Sequence, residues 1–171
     1  MIPMALRVIR IKDNMNKMSM KALFFSFAGL VVIVAGYVLF TLSSQPASGV
    51  VDRMGTVSIG RLTIPVIIAD TPELRTRGLS GRSALPQDSG MFFDMKSDGN
   101  HGIWMKEMHF PIDIIWIDRS LRIVTIEANA APDSYPKVFY PRSLARYVLE
   151  VRAGFAVEHG ITLGDQVAIK E

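Results

Sequence analysis

Apolar and polar positions alternate along this chain in two distinct ways. From Ala22 to Leu42, ALFFSFAGLVVIVAGYVLFTL, 21 residues pass without a charge, and a bilayer-spanning helix needs roughly 20. That run predicts a transmembrane helix. Beyond residue 55 the apolar residues come in short runs separated by Gly, Pro, Asp and Ser, the pattern of strands and tight turns. VSIGRLTIPVIIAD predicts a hairpin about Gly60-Arg61, with Pro65 placing the second strand at an edge or bulge because it lacks a donor. GMFFDM, IWM, PIDIIWID, RIVTIEAN and RYVLEVRAG predict further strands, and ITLGDQVAIK a Gly-Asp turn followed by the last one.

Two short segments break this pattern. In TPELRTRG, Thr71 is a good N-cap, Pro72 fits the first helical position, Glu73 suits the first turn and Gly78 is a natural stop, so a helix over 72–77 is expected. AAPDSYPKVFYPRS carries three prolines and reads as an irregular surface segment, while FAVEHG reads as a short helix or turn. The expected fold is mainly β: a single β-sandwich or barrel-like domain with one short helix, preceded by an N-terminal transmembrane helix.

Charge refines the layout. The first 21 residues hold five Lys and Arg against one Asp, a net of +4, while the rest holds 14 against 15, a net of −1. The pI near 9.3 therefore belongs to the N-terminus, and the main domain lacks the basic footprint of a nucleic-acid binder. By the positive-inside rule residues 1–21 stay in the cytoplasm, 22–42 form a transmembrane anchor or signal segment, 43–55 form a linker and 56–171 form an extracytoplasmic domain. The lipid bilayer is then a partner through residues 22–42. The length of the apolar run favours a retained anchor in the cell membrane; cleavage would leave a periplasmic or secreted domain. Cysteine is absent, which removes disulfides, thiol catalysis and lipidation through Cys.

Five stretches, ADTPELRTRGLSGR, GMFF, WMKEMHFPIDIIWID, YVLEVRAG and HGITLGD, together resemble in order and spacing the bacterial and archaeal family of unknown function numbered 192. The resemblance covers about residues 56–170. It implies a mainly β, sandwich-like core, often with an export signal or anchor, and it supplies no catalytic residue. The family's usual signature looks like Trp-Met-Lys-Asn-Thr followed by Pro-Leu-Asp. Here Glu107 replaces the Asn, Met108 the Thr, and His109 stands where an apolar residue is typical.

Candidate chemistry concentrates in HGIWMKEMHFPIDIIWID. On an extended strand Ile112, Ile114 and Trp116 face one way, and Asp113, Ile115 and Ile117 the other. A carboxylate on an apolar face needs a partner: Lys106, an arginine or backbone N–H groups if Asp113 is structural, a ligand if it is functional. The candidate pocket groups Trp104 as an apolar wall, Lys106 and Arg82 as cations, Asp113 as the orienting carboxylate and Glu150 as a further acid. Arg75, Arg77 and Arg82 read mainly as a solvated face, with a bracing role for Arg82 as the sharper alternative.

The expected function is a small-ligand-binding or accessory module of the cell envelope, acting on an envelope ligand or protein partner, with no nucleic acid and no cofactor. One alternative is an envelope hydrolase using the Asp113 and Glu107 carboxylates, which requires one of raised pKa in an open cleft. Another is a copper-binding module using Met91, Met95, Met105 and Met108 with His101 and His109, because thioether and imidazole ligands suit copper. Zinc on His101, His109 and His159 has no matching spacing. No nucleophile elbow, phosphate loop or dinucleotide fingerprint is present.

Overall fold

The computed structural model describes residues 52–170. The expected transmembrane segment, 22–42, lies outside the described residues. Among the described residues no helix is long and apolar enough to cross a membrane.

The described residues open with β1 (Arg53–Ile59) and β2 (Leu62–Ala69), an antiparallel hairpin pairing Ile59 with Leu62. Its two-residue turn needs a left-handed first position, which Gly60 supplies with φ 58°. The first strand begins at Arg53, three residues before the boundary expected from composition. Helix α1 (Pro72–Arg77) forms as its caps dictate: Leu74 N–H donates to Thr71 Oγ1 at 3.2 Å, and Gly78 N–H closes the end on the Leu74 carbonyl. Then follow β3 (Gly90–Gly99), β4 (Ile103–Trp104), β5 (Ile112–Ile117) and β6 (Ile123–Ala130). The proline-rich segment is less irregular than expected. It contains a 3₁₀ turn, Pro132–Ser134, and β7 (Val138–Phe139), which pairs with β4 as a two-stranded ribbon. The chain ends with β8 (Ala145–Arg152), α2 (Phe155–Glu158) and β9 (Val167–Lys170).

Seven strands make one sheet in the order β6-β5-β8-β3-β2-β1-β9, antiparallel except for β2 with β3. The strand β2 is internal, not an edge as Pro65 suggested. Strand β3 joins it only from Val66 onward, so Pro65 sits where β1 is its one neighbour and no ladder donor is missed. The two outermost strands, β6 and β9, approach each other at one end. Ile123 N–H donates to the Asp165 carbonyl at 3.0 Å, Val167 N–H donates to Leu121 at 2.8 Å, and Arg122 bridges to Gln166. The sheet is thus a curled half-barrel, not a sandwich of two facing sheets, and among the described residues two short α-helices accompany it where one was expected.

Curling gives the sheet two buried faces. Inside the curl lie Val57, Ile64, Val66, Phe92, Ile115 and Ile117, sealed by Phe155 of α2. Outside it, α1 and the β4–β7 ribbon cover Met91, Phe93, Met105, Ile112, Ile114 and Trp116. This double cover buries all six residues of β5, so IDIIWI carries apolar side chains at five of its six positions and on both faces. Trp116 is fully buried and its Nε1–H donates to the His101 carbonyl at 2.8 Å. Truncating it to alanine costs about 3–5 kcal/mol.

Candidate functional site

Between α1 and the β4–β7 ribbon, on the outer face of the sheet, lies a cleft of about 230 Å³. One wall is α1 and its exit, Arg75 to Ser80; the other holds Phe93, Met95, Ile103, Trp104 and Met108. Ile112 and Glu150, the most enclosed polar lining residue, form the floor. Two hydrogen bonds lock the walls together: Ser80 Oγ–H donates to the Lys106 carbonyl at 2.8 Å, and Gly81 N–H donates to Glu107 at 2.9 Å. Arg75 straps α1 to the sheet, donating to the carbonyls of Asp70 and Asp94 at 2.7 and 3.1 Å. This half-buried arginine is a brace, not the solvated charge expected of it.

Glu150 is set by register. On β8 it stands opposite Met91 of β3 and Ile114 of β5, and it shares its face with Val148. These neighbours are all apolar. The side chain is 5% exposed and, among the described residues, no donor or cation partners its carboxyl group. Burial pushes its pKa from the ordinary 4.5 to about 8, because removing water penalises the charged form. At neutral pH this is a carboxylic acid, able to donate as well as accept.

Asp113 is the opposite case. It points inside the curl, as the alternation of β5 predicts, and is fully buried. Its Oδ1 accepts from Asn129 N–H at 2.9 Å and Gly154 N–H at 3.1 Å; its Oδ2 accepts from Ala156 N–H at 2.9 Å. The last two are donors at the start of α2, which has no side-chain cap of its own. The carboxylate thus caps that helix from across the sheet.

The five residues grouped from the sequence are therefore not one pocket. Trp104 and Glu150 line the cleft. Lys106 stands at its edge, with Nζ 6.0 Å from the Trp104 ring centre and 3.8 Å from Glu107, and it does not pair with Asp113. Arg82 forms a 2.9 Å ion pair with Asp52, bracing the loop against the start of β1. Asp113 lies on the other face of the sheet. The paired carboxylates of the hydrolase alternative do not meet either, since Asp113 is buried and Glu107 is exposed beside Lys106. Sequence reading missed Phe93, Met95, Ile103, Thr76 and Ser80 as lining residues, for nothing but the docking of α1 brings them together.

Glu107 has φ 57°, a left-handed conformation. Asparagine tolerates that region better than glutamate does. Residue 107 of this chain is thus a position where asparagine would cost the backbone less than glutamate does.

The methionines of the copper alternative gather in the outer apolar cluster. Met91, Met105 and Met108 are buried in the outer cluster and Met95 packs against it. His109 is exposed, His101 contacts the Ser97 carbonyl at 2.8 Å, and His159 stacks on Phe155 at 4.0 Å. Among the described residues no three His, Asp or Glu side chains are placed to hold an ion.

Three comparisons set this geometry among known proteins. The model of the DUF192 family, described as Uncharacterized ACR, matches residues 55–169. A crystal structure from Sinorhizobium meliloti 1021, of a protein proposed there to be a transcription regulator, is 31% identical with a TM-score of 0.68, over 71% of this chain and 98% of that one. A protein of unknown function from Novosphingobium aromaticivorans DSM 12444 is 28% identical with a TM-score of 0.63, over 72% of this chain and 89% of that one. The search of curated proteins returned no match.

Proposed function

The chain belongs to the DUF192 family, and on that premise we propose that its β domain is a small-ligand-binding module of the cell envelope whose site is the cleft above Glu150. The observation that carries this reading is the unpartnered, buried Glu150 carboxyl on the cleft floor. A carboxyl with no partner costs stability, and a ligand that accepts or donates a hydrogen bond there recovers it. Asp113 shows that this fold satisfies a buried carboxylate when the role is structural. The uncharged run at 22–42 and the +4 segment before it support tethering in the membrane with the domain outside the cytoplasm. The regulator role proposed for the Sinorhizobium protein finds little support here, since the net charge of −1 after residue 21 gives no basic footprint.

An enzymatic second reading rests on the same residue. A carboxyl group of raised pKa in a cleft is what a general acid needs, so an envelope hydrolase would use Glu150 and not Asp113 with Glu107.

The site is tested by ¹H–¹⁵N spectra of the full chain titrated with small amides, alcohols and phenols. Shifts converging on residues 75–80, 103–108 and 150, abolished by Glu150→Leu in a variant with unchanged dispersion, are expected. Shifts elsewhere, or none, overturn the reading. Topology is tested separately: alkaline phosphatase fused after Glu171 is active if the domain is exported and inactive if it stays inside.

A further inference from the structure

Three features of the cleft constrain its ligand, beyond the proposal that it binds one. The first is charge. Arg75 is spent on two backbone carbonyls and Arg77 on Asp52 at 3.6 Å, which leaves an anion no free counter-charge, and the uncharged acid on the floor offers none to a cation. A neutral ligand fits both. The second is size: about 230 Å³ is below the roughly 300–1,000 Å³ of sites for drug-sized molecules, which leaves room for one ring. The third is the aromatic at the mouth. Trp104 is 49% exposed although it lines the cleft. Its ring is held in place by an edge contact to Tyr135, with centroids 6.2 Å apart, and by the Lys106 ammonium. Exposed large aromatics continue along the ribbon at Tyr135 and Tyr140, and Gly102 makes this possible. A Cβ there would come within 2.6 Å of both Tyr140 and Val138.

A half-open indole beside a polar-edged cleft is suited to a ring with an apolar C–H face and a polar rim. We infer that the cleft takes a neutral N-acetylated hexosamine unit, its ring against Trp104 and its acetamido group on the floor, the carbonyl toward Glu150 and the methyl against Phe93, Met108 and Ile112. This rests on the proposed function of the cleft and names its ligand class. The acetamido group matches the base of the cleft because it joins a hydrogen-bond acceptor to a methyl group, and there the Glu150 acid adjoins Ile112 of the floor and Phe93 and Met108 of the wall. The acid donates to the carbonyl in its protonated form, so binding weakens as pH rises through the value at which burial lets Glu150 ionise.

The test is calorimetric titration of the full chain in detergent with N-acetylglucosamine and, separately, with glucose. Saturable binding of the first, at least about tenfold tighter than the second, is expected. Trp104→Ala weakens binding about tenfold or more, whereas Trp104→Phe stays within about threefold of wild type. Glu150→Leu removes the preference for the acetylated sugar. Equal binding of the two sugars to wild type, or binding indifferent to Trp104→Ala, overturns the inference. If neither sugar binds while small amides or phenols still shift cleft resonances, the saccharide inference fails and the cleft stands as a site. If no probe reaches the cleft, both fail. The ¹H–¹⁵N spectrum of each variant confirms that it folds.

Discussion

Asp113 and Glu150 lie on neighbouring strands, one residue out of register, on opposite faces of the same sheet. Both are buried, and both interrupt apolar runs. Inside the curl, three backbone N–H groups converge on Asp113, two of them from the start of α2. Outside it, Glu150 faces side chains with nothing to donate, and a cleft. Burial alone therefore does not distinguish a structural acid from a functional one. What distinguishes them is whether the surrounding backbone was folded around the carboxylate.

The comparison is broken most severely at Asp113. Asp113→Ala orphans three donors at about 1–3 kcal/mol each and should cost roughly 4–6 kcal/mol, read as a large fall in the urea midpoint. A loss below about 1 kcal/mol would mean that these hydrogen bonds carry little.

At Glu150 the effect is one of pH. Its pKa is higher folded than unfolded, so between about 4.5 and 8 the folded state holds more protons. Stability must then fall as pH rises through that window and level off above it. The penalty is on the order of 3–5 kcal/mol at alkaline pH and absent below pH 4.5. Glu150→Gln should remove that part of the slope. Denaturant melts of both chains from pH 4 to 9 check it, and parallel curves would contradict it.

Smaller changes sharpen the two walls of the cleft. Trp104→Ala should cost about 1–2 kcal/mol, well below the loss at the fully buried Trp116, because half of the side chain is already in water. A larger loss would make Trp104 a core residue instead of a binding one. Glu107→Asn should relieve part of the left-handed strain and stabilise by about 0.5–1 kcal/mol, seen as a rise in Tm.

Much of the asymmetry between the two acids was legible in the sequence, and some was not. Period two in PIDIIWID placed Asp113 with Ile115 and Ile117, and the structure agrees. The caps of α1 were legible because Thr71, Pro72 and Gly78 act locally. The donors to Asp113 were not, since Asn129, Gly154 and Ala156 lie 16, 41 and 43 residues away. The same limit applies to the cleft. Its floor comes from β8 and β5 and its walls from α1 and the ribbon, and no periodicity encodes how these dock. Glu150 was visible as an acid in VLEV, but its solitude was not. Pro65 misled because strand position was inferred from one missing donor, whereas the partner strand begins one residue later. Glu107 became interpretable only through its φ angle.

The central claim is that Glu150 is a protonated acid on the floor of a ligand cleft. It is tested most directly by following the Glu150 side-chain carboxyl ¹³C resonance against pH, assigned by its absence in Glu150→Gln. A midpoint near 8 is what burial without a partner predicts. A midpoint near the ordinary 4.5 would show a solvated or partnered carboxylate and contradict the account.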